Sequence, residues 1–185
     1  MHGRSIFLVA LLLLMPMSQF IDVSTASSGR AMACSGDVCL SETMPNPNGF
    51  DDATWPGGEW VELHNTGTTD ISILNWQLSN KASKTLDLNS ATIVDYDSQN
   101  SSSWTISAGD YMLIARNGTP TSQFYLSNTA DALDLLDSLG TRVDQASWNG
   151  SNDGSSKIAD PANAAYDWIN EPNPSPGQAN GGGVS

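Results

Sequence analysis

Short runs of alternating apolar and polar residues, separated by clusters of Gly, Asn, Asp, Ser and Pro, dominate the chain from residue 38 onward. Alternation with a period of two residues is typical of β-strands, and helical periodicity is nearly absent. The predicted strands are residues 38–44, 59–64, 71–79, 91–96, 104–107, 111–116, 132–136 and 141–148. Many short strands at this spacing indicate an all-β sandwich or barrel.

Alternation also assigns side chains to faces. In the second predicted strand, Val61 and Leu63 share one face, and Trp60, Glu62 and His64 share the other. Alternation along this strand leaves open which of the two faces lies in the core.

The third predicted strand contains an irregularity. Its apolar phase shifts at Ile73 and Leu74, which predicts a β-bulge or a bend at this point. Beyond the shift, Trp76 and Leu78 are predicted to point inward, and Leu133 and Leu135 are core candidates of the strand at residues 132–136.

The N-terminal segment has the pattern of a secretory signal peptide. Arg4 precedes an apolar run over residues 6–15, which is shorter than the roughly 20 residues of a membrane span. Ser24 and Ala26 have the spacing of a signal peptidase site, so we expect cleavage after Ala26, with cleavage after Ala33 as a second candidate. An uncleaved N-terminal anchor is the alternative.

The expected organisation of the chain follows from these patterns. Residues 1–26 are the predicted signal peptide, and residues 27–37 form a linker that includes the start of a disulfide loop. Residues 38–180 form the predicted sandwich domain, in which residues 150–167 are expected to be largely irregular. The Gly-rich residues 181–185 are expected to be a flexible tail.

The two cysteines, Cys34 and Cys39, lie five positions apart with a Gly between them. In an exported chain this pattern most simply forms a small disulfide loop. Lipid attachment to Cys34 is a minor alternative. A metal site is weakly supported, because two thiols without a nearby His supply half of a zinc ligand set.

The charge of the chain restricts its partners. It has 185 residues and a formal net charge of −13, from 20 acidic and 7 basic residues. Such a field repels phosphate backbones, so we expect no nucleic-acid partner. An acidic, solvated surface is the simplest interpretation of this charge, although it also suits cations.

Loop residues supply the candidate binding positions. Trp55, in a Pro- and Gly-rich loop, is the predicted exposed aromatic residue, and Asp51, Asp52 and Glu59 lie close to it in sequence. Exposed aromatic residues stack on sugars or anchor protein partners, whereas the alternative is a loop folded back over the end of the sandwich. Weakly bound calcium is a second possibility for the loop oxygens. Its candidate ligands are Asp51, Asp52, Asp95, Asp97, Asn152, Asp153 and Asp160.

A carboxylate pair and one histidine remain as candidates for chemistry. Glu42 and Glu62 lie on strands that are predicted to be neighbours, and paired carboxylates can hydrolyse glycosides, hold a cation or bond to loop backbone. His64 has no nucleophile-elbow pattern nearby, so a triad is not predicted. Asn100, Asn117 and Asn149 fit the N-glycosylation pattern, whose use depends on the host.

A set of short motifs occurs in a fixed order along the chain. The motifs lie at residues 40–42, 45–47, 59–65, 73–79, 106–116, 133–140 and 174–180. In this order they resemble the lamin-tail domain family, an immunoglobulin-like β-sandwich. Within them, the residues assigned to the structural motif are Glu42, Trp60, Glu62, Asn65 and Trp76.

The resemblance implies a fold more strongly than an activity. The family has no catalytic residue set to carry over, and its prokaryotic members look like accessory modules, often joined to exported enzymes. We therefore expect a non-catalytic, secreted or cell-surface binding module without a cofactor, whose partner is a protein or glycan. The alternatives are an exported hydrolase that uses a carboxylate pair, and an accessory domain of a larger exported enzyme. Oligomeric state is left open.

Overall fold

The computed structural model describes residues 34–89, 91–94, 103–160 and 168–180. Every regular secondary-structure element in these ranges is a β-strand, so the predicted all-β class is confirmed. The predicted signal peptide (residues 1–26), the tail (residues 181–185) and the positions of Asp95, Asp97 and Asn100 lie outside the described residues.

Two antiparallel sheets and one short strand pair make up the fold. The larger sheet has the order β12-β11-β1-β2-β8-β6, the smaller has the order β10-β9-β4-β5, and β3 pairs with β7. The strands are β1 (Val38–Met44), β2 (Trp60–Asn65), β3 (Ile71–Ser72), β4 (Gln77–Ser79), β5 (Thr85–Asp87), β6 (Thr92–Val94), β7 (Thr105–Ile106), β8 (Tyr111–Ala115), β9 (Ala130–Leu136), β10 (Arg142–Asn149), β11 (Ser156–Ala159) and β12 (Trp168–Glu171).

The main core lies between the two large sheets. Leu63 comes from the six-stranded sheet, while Leu78, Leu133 and Leu135 come from the four-stranded sheet, and all four are completely buried. Trp76 is half-buried and packs against this core. The inward positions predicted for Trp76, Leu78, Leu133 and Leu135 are therefore correct, and Leu63 shows which face of β2 points toward the other sheet.

The third predicted strand, residues 71–79, is wrong as a single element. The structure divides it into β3 and β4, with a turn in which the Trp76 N–H donates to the carbonyl of Ile73 at 3.0 Å. Asn75 has a φ of 65° in this turn, a left-handed conformation that Asn tolerates better than most residues. The shift in apolar phase marks this change of direction.

Three strands were not predicted: β5, β11 and β12. Residues 150–155 and 160 are irregular, as expected, but β11 was missed between them and pairs with β1 and β12; residues 161–167 lie outside the described residues. Ser156, Lys157 and Ile158 are all buried, so β11 lacks the alternation that would reveal a strand with one exposed face.

A disulfide joins Cys34 to Cys39, as predicted. Between the two cysteines, the N–H and the hydroxyl of Ser35 both donate to the carbonyl of Val143 at 2.9 Å. Because Val143 lies on β10, the disulfide loop attaches the start of β1 to the other sheet.

The core makes a direct prediction for two leucines. Leu133→Ala should lower the free energy of unfolding by about 2–5 kcal/mol, because it leaves a cavity in a closely packed region. Leu139 is 88% exposed in the β9–β10 turn, so Leu139→Ala should change the free energy by less than about 0.5 kcal/mol. Urea denaturation measures both, and equal effects of the two substitutions would contradict this core.

Candidate functional site

The two glutamates of the predicted carboxylate pair lie opposite each other. Glu42 on β1 and Glu62 on β2 are register partners, so their side chains leave the same face of the six-stranded sheet. This is the face turned away from the four-stranded sheet. Both residues have 0% exposure. Residues 174–180, here called the C-terminal strap, contact both of them.

Glu42 accepts hydrogen bonds from β11 and from the strap. The Ser156 hydroxyl donates to Oε1. The Ser175 N–H lies 3.1 Å from Oε1 and 3.2 Å from Oε2, and the Ser175 hydroxyl donates to Oε2 at 3.2 Å. Both oxygens of this carboxylate are therefore occupied by donors of the protein itself.

Glu62 holds the next part of the strap. The Gly177 N–H donates to Oε2, and the Ser41 hydroxyl also bonds to this carboxylate. Oε1 of Glu62 is buried and has no hydrogen-bond partner among the described residues. At the end of the strap, Asn180 Nδ2 donates to the carbonyl of Ser41 at 2.8 Å.

Burial controls the protonation of this pair. It raises the pKa of Glu62 to about 8, although the Gly177 N–H lowers it, and repulsion from Glu42 raises it further. Burial also raises the pKa of Glu42, against the effect of its bonds to Ser156 and Ser175. The pair holds the protein's own chain, and neither carboxylate is open to a substrate.

A second candidate region is the loop over residues 45–58, here called the binding loop. It contains Asp51, Asp52 and Trp55, and also Phe50, which is 83% exposed. Trp55, the predicted exposed aromatic residue, is half-buried and packs edge-on against Trp60 with ring centroids 5.9 Å apart. The sequence analysis therefore missed Phe50, the most exposed aromatic residue of the loop. The pattern that could have indicated it is an apolar residue directly after Asn48-Gly49 in a polar turn.

Backbone hydrogen bonds hold the binding loop in place. The Glu59 N–H donates to the carbonyl of Asp51 at 2.8 Å, and the Gly118 N–H donates to the carbonyl of Asp52 at 2.9 Å. The Trp55 N–H donates to Oδ1 of Asn117 at 3.2 Å. The backbone that carries the acidic side chains of this loop is thus hydrogen-bonded to neighbouring segments.

Glu59, the fourth predicted binding residue, lies inside the protein. Its Oε2 accepts from Arg116 Nη1 at 2.9 Å and from the Leu126 N–H at 3.1 Å. Burial raises the pKa of Glu59, while the Leu126 N–H and the guanidinium lower it. The gap beside this pair has no room for a ligand. We therefore leave Glu59 out of the proposed contact surface.

The remaining motif residues have packing and bonding contacts. Asn65 Nδ2 donates to the carbonyls of Thr69 at 2.8 Å and Ile106 at 2.9 Å, and its Oδ1 accepts from the Gly67 N–H. This side chain holds the loop after β2 against β7. Trp60 is buried in a small apolar cluster on the strap side of the six-stranded sheet.

The described residues contain one group with metal-ligand spacing, formed by Cys34, Cys39 and Asp144. Its two sulfurs are joined in the disulfide, so they are not thiolate ligands. Within the same ranges, no three carboxylates converge, and two of the predicted calcium ligands, Asp95 and Asp97, lie outside them. Calcium binding stays a prediction.

None of the described residues forms a helix with the length and apolar character needed to cross a membrane.

His64 stacks on Tyr111 with ring centroids 4.1 Å apart, and burial lowers the pKa of His64.

The two large sheets define an immunoglobulin-like module, and the carboxylate pair of its six-stranded sheet is buried. The chain belongs to the lamin tail domain family, because the family model described as Lamin Tail Domain matches residues 31–150. The resemblance and the immunoglobulin-like fold are thus confirmed. None of the curated proteins matches the chain. The matched range includes Glu42 and Glu62, whereas the strap lies beyond it.

The buried ion pair makes a prediction with an internal control. Arg116→Met should lower the free energy of unfolding by about 3–5 kcal/mol, because the buried Glu59 carboxyl loses its charged partner and the bonds of Arg116 to Thr119 and Thr121 are lost as well. Arg142 lies 3.7 Å from Asp134 with its side chain 54% exposed, so Arg142→Met should cost at most about 1 kcal/mol. Urea denaturation at pH 7 compares them, and a smaller loss for Arg116→Met than for Arg142→Met would disprove the role of the pair.

Proposed function

We propose that the protein is a non-catalytic binding module that acts outside the cytoplasm and contacts a protein or glycan partner through the binding loop. Its membership of the lamin tail domain family supports the non-catalytic part of this proposal. The observation that carries the binding part is the exposure of Phe50 on a loop with an anchored backbone.

An exposed aromatic side chain on an ordered loop is suited to recognition. Little conformational entropy is lost on binding when the backbone is already ordered. Aromatic residues also account for much of the binding free energy at many interfaces. Phe50 has both properties, since the N–H of Ala53 donates to its carbonyl at 2.9 Å within the turn.

The acidic residues beside Phe50 restrict the chemistry of the partner. Asp51 is partly exposed and Asp52 is exposed, and the whole chain has a net charge of −13. Like charges at an interface are unfavourable, so this surface favours a neutral or basic partner. A neutral glycan and a basic protein surface both satisfy this condition.

Export is supported by two features. The predicted signal peptide at residues 1–26 has the expected order of charge, apolar run and small residues. The disulfide between Cys34 and Cys39 is of a kind that persists in oxidising compartments.

The hydrolase alternative depends on Glu42 and Glu62, which are buried and bonded to the strap. A glycosidase needs its two carboxyl groups on either side of an accessible glycosidic bond, so the burial of this pair speaks against the hydrolase alternative.

An accessory role within a larger exported enzyme agrees with the same non-catalytic module and the same binding loop.

Binding is tested with the labelled, secreted protein on a glycan array and on the envelope fraction of the producing cells. Phe50→Ser should weaken any specific signal about 30-fold, because the aromatic contact is lost without a change in the fold. Leu139→Ser, which changes another exposed apolar residue, should bind like the unmodified protein. Equal binding by both variants would exclude the binding loop as the contact surface.

Export is tested by the mass of the protein recovered from the medium or the cell surface. Cleavage after Ala26 should leave a chain that begins at Ser27, whereas cleavage at the second candidate site leaves Cys34 first. Recovery of the protein only inside the cell, with residues 1–26 still attached, would contradict export.

A further inference from the structure

The C-terminal strap is attached mainly through side chains. It follows β12 but belongs to neither large sheet, and its donors reach the carboxylates of β1 and β2 and the carbonyl of Ser41. A segment held by a few such bonds can separate from a fold without unpairing a strand.

The strap covers two acids without supplying a positive charge. Residues 174–180 read Pro-Ser-Pro-Gly-Gln-Ala-Asn, and none of these side chains is ionisable. Neither Glu42 nor Glu62 has an ion pair within the described residues. Two ionised carboxylates buried opposite each other would repel, and each would also lose its hydration.

The other groups around the pair do not neutralise it. Glu171 on β12 adds negative charge near Glu42. On the Glu62 side, burial and Glu62 itself raise the pKa of Tyr111 on β8, and burial lowers the pKa of His64, so both favour their neutral forms. Lys157 on β11 is the register partner of Thr43, so its side chain leaves the opposite face of the sheet from Glu42.

We propose that the strap is a proton-coupled latch: it closes when the Glu42–Glu62 pair takes up a proton and opens when that proton is lost. This inference does not rest on the binding function proposed above. Oε1 of Glu62 is buried without a partner, so a proton can add there without displacing an existing hydrogen bond. The open form presents both carboxylates to water.

The direction of the effect follows from linkage between protonation and closure. Burial raises the pKa of Glu62 to about 8 in the closed form, whereas a hydrated carboxylate in the open form has its ordinary value near 4.5. The closed form therefore binds the proton more tightly. Between these two values, each rise of one pH unit increases the equilibrium constant for opening up to about tenfold, and above pH 8 it levels off.

Hydrogen exchange on the full chain tests the latch directly. The protection of the Ser175 and Gly177 amides, corrected for the intrinsic rate at each pH, should fall about tenfold from pH 6 to pH 7 and about fivefold from pH 7 to pH 8. Glu62→Gln removes the titrating group but keeps an oxygen that accepts from Gly177, so the protection should change little with pH. Asp87→Asn, which changes an exposed acid on β5 of the four-stranded sheet, should behave like the unmodified protein.

Two results would overturn the proposal. One is protection of the strap amides that does not depend on pH in the unmodified protein. The other is the same pH dependence in Glu62→Gln. If Glu62→Gln does not fold, a carboxyl NMR titration of the unmodified protein decides: titration of Glu62 near its ordinary pKa contradicts the latch, whereas titration well above it, together with a change at the Gly177 amide, supports it.

Discussion

A polar group that is removed from water must find hydrogen bonds inside the protein, and this constraint determines how the six-stranded sheet is covered. One face packs apolar side chains against the four-stranded sheet. The other face carries Glu42 and Glu62 in its centre, and an apolar cover would leave these carboxylates without partners. The C-terminal strap meets this requirement for three of the four carboxylate oxygens, because it brings backbone N–H groups and a serine hydroxyl to them, and Oε1 of Glu62 is left without a partner.

The sequence predicts the part of this arrangement that depends on local pattern. Alternation along β2 places Val61 and Leu63 on one face and Glu62 on the other, as the structure has them. The cover over the second face could not be predicted in the same way, because Ser175 lies 133 positions from Glu42 in sequence. The motif at residues 174–180 belongs to the resemblance stated from the sequence and lies beyond the matched range, and a motif does not state which residues it contacts.

The candidate binding positions show the same limit. Trp55 and Phe50 are both aromatic residues in one Gly- and Pro-rich loop, so composition alone predicts a similar exposure for their side chains. Trp55 has a neighbour in Trp60 and is half-buried, whereas Phe50 is exposed. Glu59 resembles the other acids of the loop in sequence, yet its side chain is buried. It can stay there because Arg116, which directly follows β8, donates a hydrogen bond to it. Exposure is decided by such distant partners.

The use of carboxylates, rather than apolar side chains, on the covered face has a structural consequence. Apolar packing is non-directional and would tolerate a strap that slides along the sheet. Hydrogen bonds to Glu42 and Glu62 are directional, and the donors at Ser175 and Gly177 are two positions apart, so the two adjacent strands select one register of the strap. The same choice buries two acids of a strongly acidic chain side by side. The unique position of the strap and the proton dependence of its closure therefore have the same physical origin, which is the burial of Glu42 and Glu62 beneath it.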